Sequence, residues 1–363
     1  CNADKNKLNY FRQIYNEKFN FINIRTVLDT NFFEKINTLL KGKIINQIKE
    51  FFYVRELKKI INIVKPDILH GGWTMFEGYY CAKTNFHPFI LMPWGTDILI
   101  YPFQSIKNFK RIRYAIKQAD MITCDCEYQK EYVCKIGQYP EDKVITFPWG
   151  IDLDIFKPVK DDSIRKKLGC EDKIILICTR NFSEVYGHKY LFEAFFNLQN
   201  KYDDLRLLLI GDGELRNYFE NLVDKENMAD KCYFSGKVSQ KEMNVFLNNS
   251  NIYVNLSLSD GVACSMLEAM AVGLSVITTD IPVNYEWIIN GTNGFIVKRR
   301  NSKELEIALE TLITNKELRK KMSEENIKIV KTKADWNKNF QKLNKIYFEL
   351  ESKNDNNNRL WIR

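Results

Sequence analysis

Two acids, Asp260 and Glu268, stand eight positions apart in the stretch SLSDGVACSMLEAMAVGLSVIT, Ser257 to Thr278, around the start of an apolar helical pattern. The loop from Asp260 to Ser265 feeds that helix, and the unpaired N–H groups and positive dipole end of a helix N-terminus suit a phosphate. Gly261, Ala263, Cys264 and Ser265 lack bulk, so together with Val262 they form a loop whose backbone a ligand can approach. Glu268 sits about one turn into the helix, where a carboxylate can accept hydrogen bonds from the vicinal hydroxyls of a ribose. Phosphate and sugar hydroxyls together point to a nucleotide sugar. The plainer reading makes Asp260 an N-cap and Glu268 a solvated helix residue.

The elements that must position these residues follow from an alternation of short apolar runs with amphipathic helical patterns, as a doubly wound parallel sheet requires. Strands are expected at 19–24, 67–70, 89–92, 121–124 and 144–147, and again at 174–178, 205–210, 232–235, 252–255, 275–278 and 295–297. Two Rossmann-like sheets imply a cleft between them, with a hinge near Gly150 to Pro158. The expected division is an acceptor-side domain over 1–157, a nucleotide-sugar domain over 158–335, a C-terminal helix over 336–352 and a disordered tail over 353–363, which is rich in Asn. The opening CNADKNKLNYFRQIY is polar and helical in pattern. The N-terminal domain is therefore expected to lack its first strand.

The acid pair resembles the E-x7-E signature of retaining glycosyltransferases of family 4, enzymes of the GT-B architecture, with Asp260 in place of the first Glu. The similarity runs on through Glu268-Ala269-Met270-Ala271, Gly273 and Asn290-Gly291-Thr292-Asn293-Gly294-Phe295. Upstream, LLLIGDGELR, with Gly211 in its turn, resembles the family's strand and GxG turn, and PWGIDLDIFKP its interdomain segment. The resemblance covers residues 65 to 350. It implies a GT-B fold whose C-terminal helix crosses back to the first domain.

It also implies transfer of a hexose from a UDP- or GDP-linked donor to a hydroxyl of a glycan or lipid-linked acceptor, with retention of anomeric configuration, as in the synthesis of cell-envelope polysaccharide. The donor is a substrate, and no cofactor is implied. Arg180 matches the family's phosphate-binding Arg, whose guanidinium fork neutralises the diphosphate leaving group. Asp260 would hydrogen-bond the donor-sugar hydroxyls. The family's following Lys-Gly pair is replaced by Tyr186-Gly187-His188-Lys189, in which Lys189 or His188 would substitute. The D-x-D formed by Asp152 and Asp154 falls in the hinge segment, where the family matches it without metal, so no metal ligands are assigned.

On the acceptor side, MPWGTDI resembles a loop that in many relatives reads H-G-x-D, with Trp94 replacing the histidine. Asp97 either orients the acceptor or the transferred sugar, or caps the next helix. His70 ends an apolar run at the presumed cleft, followed by Gly71 and Gly72, which permit close approach; contact with acceptor and a packing role both fit it.

With 363 residues, 45% hydrophobic and 28% charged, the chain has ordinary globular usage and room for two domains. Nine scattered cysteines without paired zinc-like spacing read as reduced thiols of a cytoplasmic protein. No run reaches the apolar length of a membrane span, so any membrane contact would be peripheral, at the inner face. Net charge is +8, and residues 1–157 hold 23 basic against 17 acidic side chains, so about +6 of it lies there. Lys107, Lys110, Arg111, Arg113 and Lys117 crowd one helical segment, a pattern that suits anionic lipid head groups or simply a solvated face. No nucleic-acid module accompanies the charge. Two other functions remain open: a nucleotide-sugar 2-epimerase of the same fold, and a catalytically impaired nucleotide-sugar-binding relative.

Overall fold

The computed structural model describes residues 43–360. The strand expected at 19–24 and the expected absence of a first strand lie outside these residues. Among the described residues, ten parallel strands form two sheets. The first contains β1 (Leu69–Gly72), β2 (Phe89–Met92), β3 (Met121–Cys124) and β4 (Val144–Thr146), in the order β1-β2-β3-β4. The second contains β5 (Ile174–Cys178), β6 (Leu205–Ile210), β7 (Cys232–Gly236), β8 (Ile252–Asn255), β9 (Ser275–Thr279) and β10 (Gly294–Val297), in the order β10-β9-β8-β5-β6-β7.

Five of these strands keep the expected bounds and the others shift by one or two residues. The largest shift is in β1, which runs through Gly71 and Gly72 because their main chains register against Leu91 and Met92 of β2. Ladder hydrogen bonds need no side chain, so glycines that read as a loop can be sheet. The runs IILIC and LRLLLI of β5 and β6 are apolar almost throughout because both faces are covered. One face of the second sheet packs Leu176, Leu207 and Leu209 under helix residues Phe192, Phe195 and Leu309. The other packs Ile177, Leu208 and Val276 under Met266, Met270 and Val330.

The first sheet is covered on one side by the helices Glu77–Thr84, Ile106–Gln118 and Glu127–Gly137, through Ala82, Ile112, Ile116 and Val133. On its other side Ile90 and Phe147 meet Leu343, Ile346 and Leu350 of the last helix, Trp336–Leu360. That helix continues to Leu360 through the segment expected to be disordered, since extending a helix already anchored by packing costs far less than starting one. The two chain crossings between the sheets lie side by side. Ile151 N–H donates to the Ala334 carbonyl at 2.9 Å, and Trp336 N–H to the Ile151 carbonyl at 3.0 Å.

In the second sheet the chain runs outward from β5 to β7 and then returns to place β8 on β5's other edge. The carboxyl ends of β5 and β8 are therefore a topological switch point, where an open α/β sheet has its crevice. Arg180 follows β5 and Asp260 follows β8.

Candidate active site

Arg180 and Asp260, 80 residues apart, meet at this crevice. The Arg180 Nη2 donates to Asp260 Oδ2 at 2.7 Å and its Nη1 to Ser265 Oγ at 3.1 Å. The guanidinium lies 4.1 Å from the centre of the Tyr186 ring, and its buried Nε has no partner among the described residues. Burial works against the Arg180 charge, but Asp260 and the hydroxyls of Tyr253 and Tyr186 more than offset it, holding its pKa above the ordinary value. Burial likewise pushes the Asp260 carboxyl up, against the pull of Arg180 and the Ser257 hydroxyl. A third contact ties the constellation to the sheet: the Tyr253 hydroxyl, on fully buried β8, donates to Ser265 Oγ at 2.9 Å.

The helix Cys264–Ala271 begins in this cluster, and its N-cap, Ala263, supplies no side-chain hydrogen bond. Its first turn is thus available to an outside acceptor. Glu268 lies half-buried one turn in, and among the described residues its carboxylate has neither an ion-pair partner nor a hydrogen-bond donor. Burial raises its pKa to about 7, with Arg180 pulling the other way. A carboxylate left half-desolvated and unpaired is costly in isolation, so this one is built to meet something. Cys264 is exposed, but its thiol is raised to about 11 by burial of the sulfur and the neighbouring Glu268.

Gly211 closes β6 beside this cluster, its N–H donating to the Gly236 carbonyl at 2.9 Å. A Cβ at Gly211 would stand 3.1 Å from the Arg180 carbonyl. The structure therefore brings Arg180, Gly211, the Asp260–Ser265 loop and Glu268 together. Two cavities adjoin them. One, of about 510 Å³, reaches Asp260 and is lined by Leu99, Tyr128, Ile281 and Arg299 from both domains. The other, of about 600 Å³, reaches Tyr186 and is lined by Asn181, Asp212, Glu214 and Lys237.

Lys189 does not join them. Its side chain is 69% exposed and pairs with Glu193 across one helical turn at 3.9 Å, because the second position of the helix His188–Gln199 faces away from the sheet end. His188 turns inward instead, stacking near Phe182 with its Nδ1 unpaired, and burial lowers its pKa to about 4. Asp152 accepts the N–H of Asp154 at 2.9 Å, organising its own turn.

The acceptor-side residues are differently placed. Asp97 is fully buried, and its two oxygens accept three main-chain N–H groups, from Thr74 at 2.7 Å and from Trp94 and Gly95 at 2.9 Å each. Its carboxylate is therefore engaged in building the loop. Trp94, 58% exposed, is what the loop presents to solvent. Its ring lies over Gly72, where a Cβ would stand 3.0 Å from the indole, so the approach that Gly72 permits is taken by Trp94. His70 shares a 2.6 Å hydrogen bond with the Tyr347 hydroxyl of the last helix, and burial holds its pKa near 4. Gly71 is buried in β1 beneath Cys81 and Phe89. In the basic segment, Arg111 turns inward, 4.0 Å from the Tyr79 ring centre, leaving Lys107, Lys110 and Lys117 exposed. No helix among the described residues is long and apolar enough to cross a membrane.

Sequence reasoning passed over Tyr186, Tyr253, Asp125, Gln129 and Glu286. Tyr253 reads as an ordinary core residue of an apolar strand. Asp125 had a signal, since it follows β3 at a carboxyl sheet end.

Comparison with known proteins agrees with this geometry. Residues 160–329 match the family model Glycosyl transferases group 1, and residues 10–126 match Glycosyl transferase 4-like. An uncharacterized glycosyltransferase of Methanocaldococcus jannaschii is 28% identical over 296 residues, covering 81% of this chain and 78% of the relative. Among solved structures, Anabaena HepE in complex with UDP superposes with a TM-score of 0.73 at 16% identity, over 82% of each chain. A glycosyltransferase from Rickettsia africae superposes with a TM-score of 0.69 at 20% identity, over 86% of this chain and 84% of that one. One glycosyltransferase model thus matches the chain through β3 and another matches the second sheet, and the two-sheet fold that carries them is the GT-B architecture.

Proposed function

We propose that the protein transfers a hexose from a nucleoside-diphosphate sugar to a hydroxyl of a glycan or lipid-linked acceptor, with retention of anomeric configuration. The observation that carries this reading is the juxtaposition of a paired Arg180–Asp260 with an unpaired Glu268 around an uncapped helix start. Glu268 accepts the ribose hydroxyls. Arg180, whose Nε has no partner among the described residues, donates to the diphosphate. Asp260 accepts from hydroxyls of the sugar being transferred. HepE, a fold neighbour, has been solved with UDP-glucose, which supports a uridine donor as the first to test.

Retention follows a front-face course. The bond from the anomeric carbon to the leaving phosphate oxygen breaks while the acceptor oxygen bonds to that carbon from the same face. The acceptor proton passes to the leaving diphosphate, whose developing charge Arg180 and the helix N-terminus stabilise. No step calls for a metal. The epimerase alternative is not favoured, because both matched family models are glycosyltransferase models. Localisation at the inner membrane face through the exposed Lys107, Lys110 and Lys117 belongs to the same proposal.

The test combines a panel of UDP- and GDP-sugars with acceptor glycans, in the presence of EDTA, with the product linkage read by NMR. An α-linked donor should give an α-linked product. A β-linked product, or activity abolished by chelation and restored by manganese, would overturn the mechanism.

A further inference from the structure

The loop that carries Asp260 is held from outside its own domain. Asp125, just beyond β3 of the first sheet, accepts the Val262 N–H at 3.1 Å. The reverse contact lies alongside: Glu286, in the short turn Pro282–Glu286 after β9, accepts the N–H groups of Tyr128 at 3.3 Å and Glu127 at 3.4 Å, at the start of the helix Glu127–Gly137. Each domain thus lends one carboxylate to the other's main chain. Cys126 of the first domain packs with Ile281 and Val283 of the second beside this exchange.

The main chains themselves touch. A Cβ on Gly95 would stand 2.9 Å from the Gly261 nitrogen, and one on Gly261 would stand 2.6 Å from Asp125 Oδ2 and 2.7 Å from Gln129 Nε2. Only glycines allow this approach. Yet the contact is incompletely satisfied. Among the described residues, fully buried Gln129 has no partner for either polar atom of its side chain, and Asp125 Oδ1 is buried without a partner. Permanent packing rarely leaves three such atoms together, whereas a contact that opens to solvent on each cycle does not retain that cost. The loop is short, so a shift at Val262 moves Asp260, which Arg180 grips from the other side.

We propose that Asp125 is a positioning residue, which on domain closure takes the Val262 N–H and so fixes the loop that presents Asp260, with Glu286 making the reciprocal contact. This rests on the reading above that Asp260 faces the transferred sugar. Asp125 then acts on turnover through the loop and leaves nucleotide binding, a property of the second domain, largely alone.

The test uses the full chain with Asp125→Ala, Asp125→Asn and Glu286→Ala, each checked for an unchanged thermal midpoint. UDP affinity is read by calorimetry, turnover by product formation, and closure by small-angle scattering with and without UDP. Asp125→Ala should lower kcat by about 10² with UDP affinity within about twofold, as expected when a misplacement of about an ångström disturbs the reacting groups. Asp125→Asn, whose amide oxygen still accepts the N–H, should recover most of it. Asp125→Ala and Glu286→Ala should each reduce the compaction that UDP induces. Wild-type kcat in Asp125→Ala, an Asp125→Asn as impaired as the alanine variant, or parallel loss of UDP affinity and turnover would each overturn the proposal. A wild type that turns over no donor overturns the reaction assignment instead, and the scattering comparison still decides the latch.

Discussion

The two walls of the cleft use their polar residues in opposite ways. On the second-domain wall, among the described residues, Glu268 has no ion-pair or hydrogen-bond partner and Arg180 keeps a buried Nε free, so part of the hydrogen-bonding capacity is unused by these residues. On the first-domain wall the comparable groups are consumed by the fold: Asp97 by three main-chain N–H groups, His70 by Tyr347, and Gly72 by the Trp94 ring. A carboxylate that already accepts three hydrogen bonds has little left to offer a substrate, whereas a half-buried one that accepts none is held ready for it. What this wall presents to solvent is exposed Trp94 and its side of the cavity lined by Leu99 and Tyr128.

Substitutions on the two walls should separate accordingly. The largest effect is expected from Arg180→Ala, which should lower kcat by about 10² to 10³ and UDP affinity much less, because the leaving-group charge is greatest in the transition state. Comparing steady-state rates with calorimetric UDP affinity checks this, and equal loss in both would assign Arg180 to ground-state binding. On the opposite wall, Asp97→Ala should cost about 2 to 4 kcal/mol of folding stability by stranding three buried N–H groups, while UDP affinity stays at the wild-type value. Chemical denaturation measures the first and calorimetry the second; a stable variant that has lost only turnover would restore Asp97 to the reacting groups.

The smallest effect is also the most diagnostic of pH. Glu268→Ala should weaken UDP binding by about 1.5 to 3 kcal/mol, the range for a hydrogen bond to a charged group. With a pKa of about 7 in the free protein, the wild-type carboxyl is largely protonated below neutrality, and a hydroxyl donor favours its ionised form. UDP affinity should accordingly rise as pH increases through 7 and level off above it. Glu268→Gln should flatten that limb. In folding the sign reverses: the raised pKa means the native state holds the proton more tightly than the unfolded chain, so this group's contribution to stability declines as pH rises from 4.5 to about 7. A wild-type affinity flat from pH 6 to 8 would remove Glu268 from the ribose site.

Most of the second sheet was legible in the chain, as were the strand and helix ends that carry Arg180, Asp260 and Glu268. Apolar runs such as 174–178 and 205–210 are buried on both faces, so their composition alone marks them as strands. Arg180, Asp260 and Glu268 sit where a strand ends or a helix begins, and those local boundaries leave local signatures. Lys189 was misplaced because helical phase decides whether the first or the second residue of a helix faces the core, and here His188 took that place. Asp97 was ambiguous because a capping and a substrate-facing carboxylate look alike until the loop around them is closed.

The sequence by itself determined two parallel sheets, the helix that begins at the loop Asp260–Ser265 and the residue types that flank it, since periodicity and strand-end chemistry depend on near neighbours. Only the tertiary structure decided which polar groups remain free. It joined Arg180 to Asp260 and Ser265, tied His70 to Tyr347 across 277 residues, and exchanged Asp125 and Glu286 between the domains. These pairings depend on the packing of elements distant in the chain, where a hydrogen bond satisfied or unsatisfied is set by geometry that no local pattern records.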